Sequence, residues 1–432
     1  MKTCFTLGAC ALASVLLVAC GGGNGSISGS EGVNLNTSIP VPGITPTTNF
    51  SFDISDVDSG RGRMYFTDRN NKSVDVINVK TNTVLTQIPG FHGCDTGPSC
   101  AGANNDKSGP DGLNVIPGTN FVYVGDVNAV KIIDANTLTV VNTINIGGAS
   151  GFRADEGCYD PDHNIYMINT PAGNPDAVPP VPPFATFIDT TTQKIIATVL
   201  FTDPGTGPNG PASAGLEACA YDHGTQSFID NNDGSTANPH GEVDVIPASF
   251  VMQGTPANPV VLTIPAIAPG NGFKVFPLGN CDPTGLALGP GTDMGIVCRE
   301  GTTGAPLLFI IMDRTNGTIL ASLNAGGGDQ VTYDAGSNRY YEADSRWTAS
   351  GLAGVGGACT AAVPCTPSLM VIDGGSRTLL ARIESGNNAH SVAFDPATKQ
   401  LYMPYSGATA PAGCATCAAD LPNGGVLVYS IP

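Results

Sequence analysis

The sequence predicts a closed all-β fold, a seven-bladed β-propeller of four-stranded antiparallel blades sealed by a strand from the N-terminus. Three observations predict it. A hairpin unit recurs five times, as VINVKTNTVLTQI from Val76, IIDANTLTVVNTI from Ile132, FIDTTTQKIIATV from Phe187, IMDRTNGTILASL from Ile311 and VIDGGSRTLLARI from Val371. Each copy places two β-branched stretches around an Asp/Asn/Thr/Gly turn, the pattern of a tight hairpin. A second unit of strand, turn and aromatic strand accompanies it, ending at Asp68, Asp126, Asp344 and Tyr405. The 56 glycines and 34 prolines in 432 residues imply many short turns, and 12% charged residues are too few for a disordered polyelectrolyte.

The first element is a targeting segment. Lys2 supplies a positive start, residues 5–19 are mostly apolar, and the run is shorter than the ~20 residues that span a bilayer. It ends in Leu17, Val18, Ala19 and Cys20, which resembles the lipobox of bacterial lipoproteins. That resemblance implies cleavage after residue 19 and a lipid on the Cys20 thiol. Gly21 follows where an Asp would favour the inner membrane, so it also implies an outer-membrane location in the cell envelope. Residues 20–33 then form a Gly/Ser-rich tether with a reach of ~20 Å, and residues 34–432 the propeller.

The blades come next. Their inner (A) strands are expected to begin near Phe52, Asp111, Asp155, Glu217, Thr284, Asp329 and His390. The last blade lacks an outer (D) strand because the chain stops after VLVYS. Residues 36–41 (NTSIPV) are expected to supply it, removing an exposed sheet edge. The aromatic strand reads YFTD from Tyr65 and YVGD from Tyr123, similar to the bacterial propellers named for a Tyr-Val-Thr-Asn repeat. The resemblance covers about residues 49–430. It implies the fold, while proteins of this kind include binding proteins, surface-layer components, lactonases and dehydrogenase subunits. A single tryptophan, Trp347, does not suit WD-repeat or quinone-docking propellers.

Thirteen cysteines, less Cys4, Cys10 and Cys20, leave ten, an even number for a chain sent to an oxidising compartment. Disulfides are expected for Cys94 with Cys100, Cys281 with Cys298, Cys359 with Cys365 and Cys414 with Cys417. Cys158 and Cys219 remain, on the first strands of consecutive blades. With 36 acidic against 18 basic residues, the net charge of −18 repels phosphate backbones, which excludes nucleic acid as a partner.

The long connections are 91–110, 171–183, 202–214, 231–241, 266–279, 345–367 and 406–424. These B–C and D–A segments emerge on one side of an antiparallel blade, so one face is decorated and the other trimmed. Strand A starts on the decorated side, beside the channel. The residues opening it are Asp53, Asp111, Asp155 (with Glu156 adjacent), Glu217, Thr284 (with Asp282 two residues earlier), Asp329 and His390. Five acids and one histidine at seven equivalent positions exceed what 36 acids in 432 residues would place there by chance.

Three roles fit such a ring. Carboxylates accept hydrogen bonds from neighbouring blades and channel water. Alternatively, they hold a hard cation, Ca²⁺, on the axis. In the third role the metal polarises a carbonyl while His390 is the general base, making the chain a lactonase- or esterase-like hydrolase. Glu156-Gly157 with Asp160 resembles the first-strand motif of gluconolactonase-like and paraoxonase-like propellers, although the asparagine ligands of those proteins have no counterparts here. No Gly-x-Ser-x-Gly elbow or phosphate loop occurs. The expected function is therefore an envelope-anchored binding or scaffold module, attached to the membrane by lipid, with a protein or polymer ligand at its decorated face. The metal-dependent hydrolase is the alternative.

Overall fold

A computed structural model describes residues 30–432 except 46, 47, 49, 148–150, 203–214, 265–271, 300–303, 354–363 and 407–423. The expected signal segment, Cys20, Cys359, Cys414 and Cys417 lie outside the described residues. Seven antiparallel sheets surround one axis, and successive A strands touch from the first blade round to the seventh and back to the first. Blade one runs outward as Phe52–Asp58, Arg63–Asp68, Ser73–Asn78 and Thr83–Pro89. The other A strands are Leu113–Val115, Gly157–Asp160, Leu216–Asp222, Pro283–Leu288, Val331–Asp334 and Ala393–Asp395.

The hairpin repeat has a local cause. In blade two the Asp134 carboxylate accepts from the N–H groups of Asn136 (2.7 Å) and Thr137 (3.2 Å), and Leu138 takes a left-handed φ of 55°. Asn82, Gln193, Gly317 and Arg377 adopt the same conformation at the matching turn position. A bulge interrupts each of these five hairpins at the same register, between Ile132 and Ile133 in blade two. The side-chain cap holds the turn so that a non-glycine residue tolerates the left-handed backbone.

The core lies between blades. The middle strands are buried, and Tyr65, Tyr123, Tyr341 and Tyr402 occupy the third position of strand B in their blades. The Tyr402 hydroxyl lies 2.9 Å from Asn82 Oδ1 and 3.2 Å from the Val79 carbonyl, linking blade seven to blade one. Closure comes from Asn34–Pro40, which pairs antiparallel with Gly425–Ser430 and sets Ile39 opposite Val426. Val33, Ile39 and Val41 are buried in the core, so the added strand contributes apolar packing as well as ladder hydrogen bonds.

Two expectations need correction. Residues 266–279 are not simply a loop, because Lys274–Pro277 is strand D of blade four, paired with Glu242–Pro247. The segment before it leaves that blade through a short helix, Ala248–Val251. It returns as Val260–Ile264, a fifth strand parallel to Lys194–Phe201 on blade three. The reason is packing: Ile264 and Val251 bury themselves against Phe201 and Val199. Four A strands also start two or three residues later than expected, leaving Asp111, Asp155, Asp329 and His390 in the connections just before them.

The structure contains disulfides Cys94–Cys100, Cys158–Cys219 and Cys281–Cys298. Cys158–Cys219 ties the A strands of blades three and four. Cys365 is also disulfide-bonded.

Candidate functional site: the axial mouth

The A strands converge so closely on the decorated side that side chains are excluded at some positions. A Cβ on Gly112 would lie 1.7 Å from the Asp155 carbonyl oxygen, and one on Gly285 2.0 Å from that of Asp329. Below this level Gln330 crosses the channel. Its Oε1 accepts from Ser391 Oγ (2.7 Å) and Val392 N–H (3.0 Å), and its Nε2 donates to the Ser55 carbonyl (2.8 Å). Above it opens a cavity of about 270 Å³, lined by Phe50, Phe52, Asp53, Arg69, Arg153, Asp155, Glu156, Glu217, Arg299, Asp329, Arg346 and His390 among others.

The structure thus brings Asp53, Asp155, Glu156, Glu217, Asp329 and His390 to one cavity. Asp111 is fully buried behind it, beneath Arg69. Asp282 and Thr284 are not among the residues lining the cavity. The Asp282 N–H is bonded to the His240 carbonyl (2.9 Å), and the buried Thr284 hydroxyl donates to the Gly328 carbonyl (3.0 Å). Asp230 and Asn231 serve the frame, with Asn169 Nδ2 donating to Asp230 Oδ1 (2.6 Å) and Asn231 Nδ2 to the Thr284 carbonyl (2.8 Å), while Asp233, pushed up to about 7 by burial, interacts with the mouth charges Arg299 and Asp329.

Sequence reasoning missed four arginines, and they divide the ring in two. On one side Arg69 donates to Asp53 and Asp111, with its Nε 2.7 Å from Asp111 Oδ1. Arg153 lies 2.7 Å from Asp155 and 3.6 Å from Asp53. Guanidinium groups therefore already compensate the Asp53–Asp111–Asp155 trio. Burial pushes Asp53 up, but Arg69, His390 and Arg153 outweigh it and hold its carboxyl below the usual range. Burial, opposed by Arg153, pushes Asp155 up to about 7.

The other side is different. Carboxyl oxygens of Glu156, Glu217 and Asp329 lie within 4.8 Å of one another. Glu156 and Glu217 are only 9% and 8% exposed, and neither carboxyl has a hydrogen-bond or ion-pair partner among the described residues. Burial pushes both well above the usual carboxylate range, helped by repulsion from Asp329 and Asp155 at Glu156 and from Asp233 at Glu217, where Arg299 opposes it. Arg299 stands 3.8 Å from Asp329. Arg346, also on the cavity wall, has a guanidinium with no hydrogen bond or ion pair among the described residues. Burial and the neighbouring Arg299 charge lower it to about 10.

A signal for three of the arginines is present in the chain. Arg69 and Arg299 directly follow the last residue of strand B, and Arg346 comes two residues after it. Strand B ends on the decorated face beside the start of strand A, so aligning blades on that end reveals a basic position next to the acidic one. His390 is fixed by stacking on Phe52, with ring centroids 4.5 Å apart, and by Nδ1–H donation to the Asn388 carbonyl (2.7 Å). Its Nε2 points toward Asp53 at 3.8 Å, beyond hydrogen-bond reach.

Among solved structures, the chain is similar to a chain of "Crystal Structure of Mitotic Checkpoint Complex", with a TM-score of 0.55 and 11% identity over 99% of this chain and 98% of that one. At that identity the likeness concerns the fold alone. No protein-family model matches the chain, and no curated protein matches it.

Proposed function

We propose that this protein is a ligand-binding module whose site is the axial cavity of the decorated face. The observation that carries this is the set of ionisable groups there without a hydrogen-bond or ion-pair partner among the described residues: the buried Glu156 and Glu217 and the half-buried Arg346. Such groups cost free energy when left without partners, and a ligand that meets them recovers it. Around the mouth, the described parts of the B–C and D–A connections offer further surface for a protein or polymer. The motif ending at Cys20 and the Gly/Ser tether support attachment to the outer membrane by lipid. The YFTD and YVGD strands support kinship with the Tyr-Val-Thr-Asn propellers.

The experiment is a thermal-shift screen of small polar compounds on the wild type and on E217Q/R346M. A compound that raises the wild-type Tm in proportion to its concentration, and loses that effect in the variant, is the expected result. Ligands that stabilise both proteins equally would move the site away from the mouth.

A second reading, a Ca²⁺-dependent hydrolase, is favoured by the convergence of Glu156, Glu217 and Asp329. These three would hold the ion, which would polarise a substrate carbonyl. The fit is incomplete, since Ca²⁺ takes six to eight oxygens and the neighbouring positions hold Arg299 and Arg346. His390 has the right tautomer for a base at Nε2, because its Nδ1 carries the proton given to Asn388. Adding Ca²⁺ or a chelator to the same melts tests it: a Ca²⁺-dependent rise in Tm, abolished by E217Q, is what this reading requires.

A further inference from the structure

The cavity wall carries an unmet demand of both signs within one small volume. At about 270 Å³ it falls below the ~300–1,000 Å³ of drug-sized sites, so its occupant is small. One end presents Glu156, Glu217 and Asp329, and the Asp329 Oδ1 atom is buried without a hydrogen bond. Beside them on the same wall stand Arg299, 3.8 Å from Asp329, and Arg346. A free cation would meet the carboxyls but add repulsion to Arg299 and Arg346 on the same wall. A simple anion would meet Arg346 but leave Glu156 and Glu217 buried and unpaired. Neutral sugars would satisfy neither charge. A molecule bearing both charges a few bonds apart meets both demands at once.

From this complementarity we infer that the mouth binds a small zwitterion of the α-amino-acid class. Its ammonium group sits among Glu156, Glu217 and Asp329, and its carboxylate faces Arg346 and Arg299. Arg346 takes the carboxylate as the anchoring partner, because a guanidinium offers paired N–H donors matched to carboxylate geometry. Phe50 and Phe52 are only 1% exposed at the wall of the same cavity, so the lining offers little apolar surface and suits a very short side chain. Glu156 and Glu217 ionise when the ammonium arrives, so binding releases protons.

This inference rests on the ligand-binding reading, and its test separates the two. Isothermal titration calorimetry of the purified full chain would use glycine and L-alanine, with propionate, ethylamine, glucose and CaCl₂ as comparators. The expected result is that L-alanine binds at least tenfold more tightly than propionate or ethylamine. Its apparent enthalpy should vary with buffer ionisation enthalpy in the sense of proton release. R346M should reduce L-alanine affinity to that of ethylamine, and E217Q to that of propionate, with melting curves confirming that both variants are folded. If either variant does not fold, R346K and E217D, which shorten or reshape the group but keep its charge, are expected to weaken L-alanine binding by a smaller factor. L-alanine binding no tighter than its two halves, or unaffected by the substitutions, overturns the zwitterion. CaCl₂ binding that strengthens in R346M overturns it in favour of a cation. Should another compound from the thermal-shift screen bind at the mouth while L-alanine does not, the ligand-binding reading stands and the zwitterion falls. No compound binding at all removes both.

Discussion

At the scale of single residues, this protein buries carboxyl groups without basic partners. Asp75 accepts from Ser73 Oγ (2.7 Å) and Gln87 Nε2 (2.9 Å), and burial with the nearby Asp68 charge pushes it up to about 8. Burial and then the Glu242 charge push Asp244 up to about 8, and burial pushes Asp68 to about 6. In the unfolded chain such groups titrate near 3.9. Between about pH 4 and pH 8 the native state therefore holds more protons than the unfolded state, so stability falls as pH rises through that window. Asp53 has the opposite sign, and its contribution is lost only in strong acid, as pH falls through its depressed value. The expected outcome is a higher Tm at pH 5 than at pH 8. Substituting Asp244→Asn should raise the pH 8 value by a few degrees and leave the pH 5 value nearly unchanged. A wild-type Tm that climbs from pH 5 to pH 8 in calorimetry contradicts the assignment. None of these burials was legible in the sequence, because an aspartate in a strand reads the same whether it faces solvent or a neighbouring blade.

Among the elements, the A strands are short, and the structure reinforces them from outside the ladder. Leu113–Val115 and Ala393–Asp395 have three residues each. Cys158–Cys219 bridges the A strands of blades three and four across 61 residues, while Cys281–Cys298 spans only 17. Loop-closure entropy assigns about 4 kcal/mol to the longer bridge and about 3 kcal/mol to the shorter. C158A/C219A is accordingly expected to lower Tm more than C281A/C298A, measured by unfolding under non-reducing conditions. An equal or reversed order would show that strain or residual structure, rather than chain entropy, governs their contribution. The hairpin repeats were readable because each carries its own cap and left-handed residue within the turn. The excursion of Val260–Ile264 to blade three was not, since VVLTI has the same local pattern whichever edge it joins.

For the molecule as a whole, a ring closed by its own first strand joins the N-terminus to blade seven, so the tether would start from the rim of the propeller. The lipid reading predicts where the protein goes. Wild-type protein should fractionate with membranes and be released by detergent, whereas C20S should appear in the soluble fraction at similar abundance. Identical distribution of the two, followed by immunoblot, removes the anchor. A net charge of −18 sets the character of the exposed surface, while the mouth sets Arg69, Arg153, Arg299 and Arg346 among its five lining carboxyls.

Taken alone, the sequence determined the architecture: seven repeats, their turns, the closing strand and the end of each A strand that faces the axis. These follow from local patterns, in which apolar alternation and turn chemistry are spelled by adjacent residues. It also placed Asp53, Asp155, Glu156, Glu217, Asp329 and His390 near one another, because equivalent positions in repeats share a radius. Only the tertiary structure decided what that ring is. It set Arg69 and Arg153 among three of the carboxyls, left Glu156 and Glu217 without a hydrogen bond or ion pair among the described residues in a cavity they share with Arg346, and kept Asp282 off the cavity wall. Charge compensation depends on distances between side chains from different blades, and no local pattern encodes them.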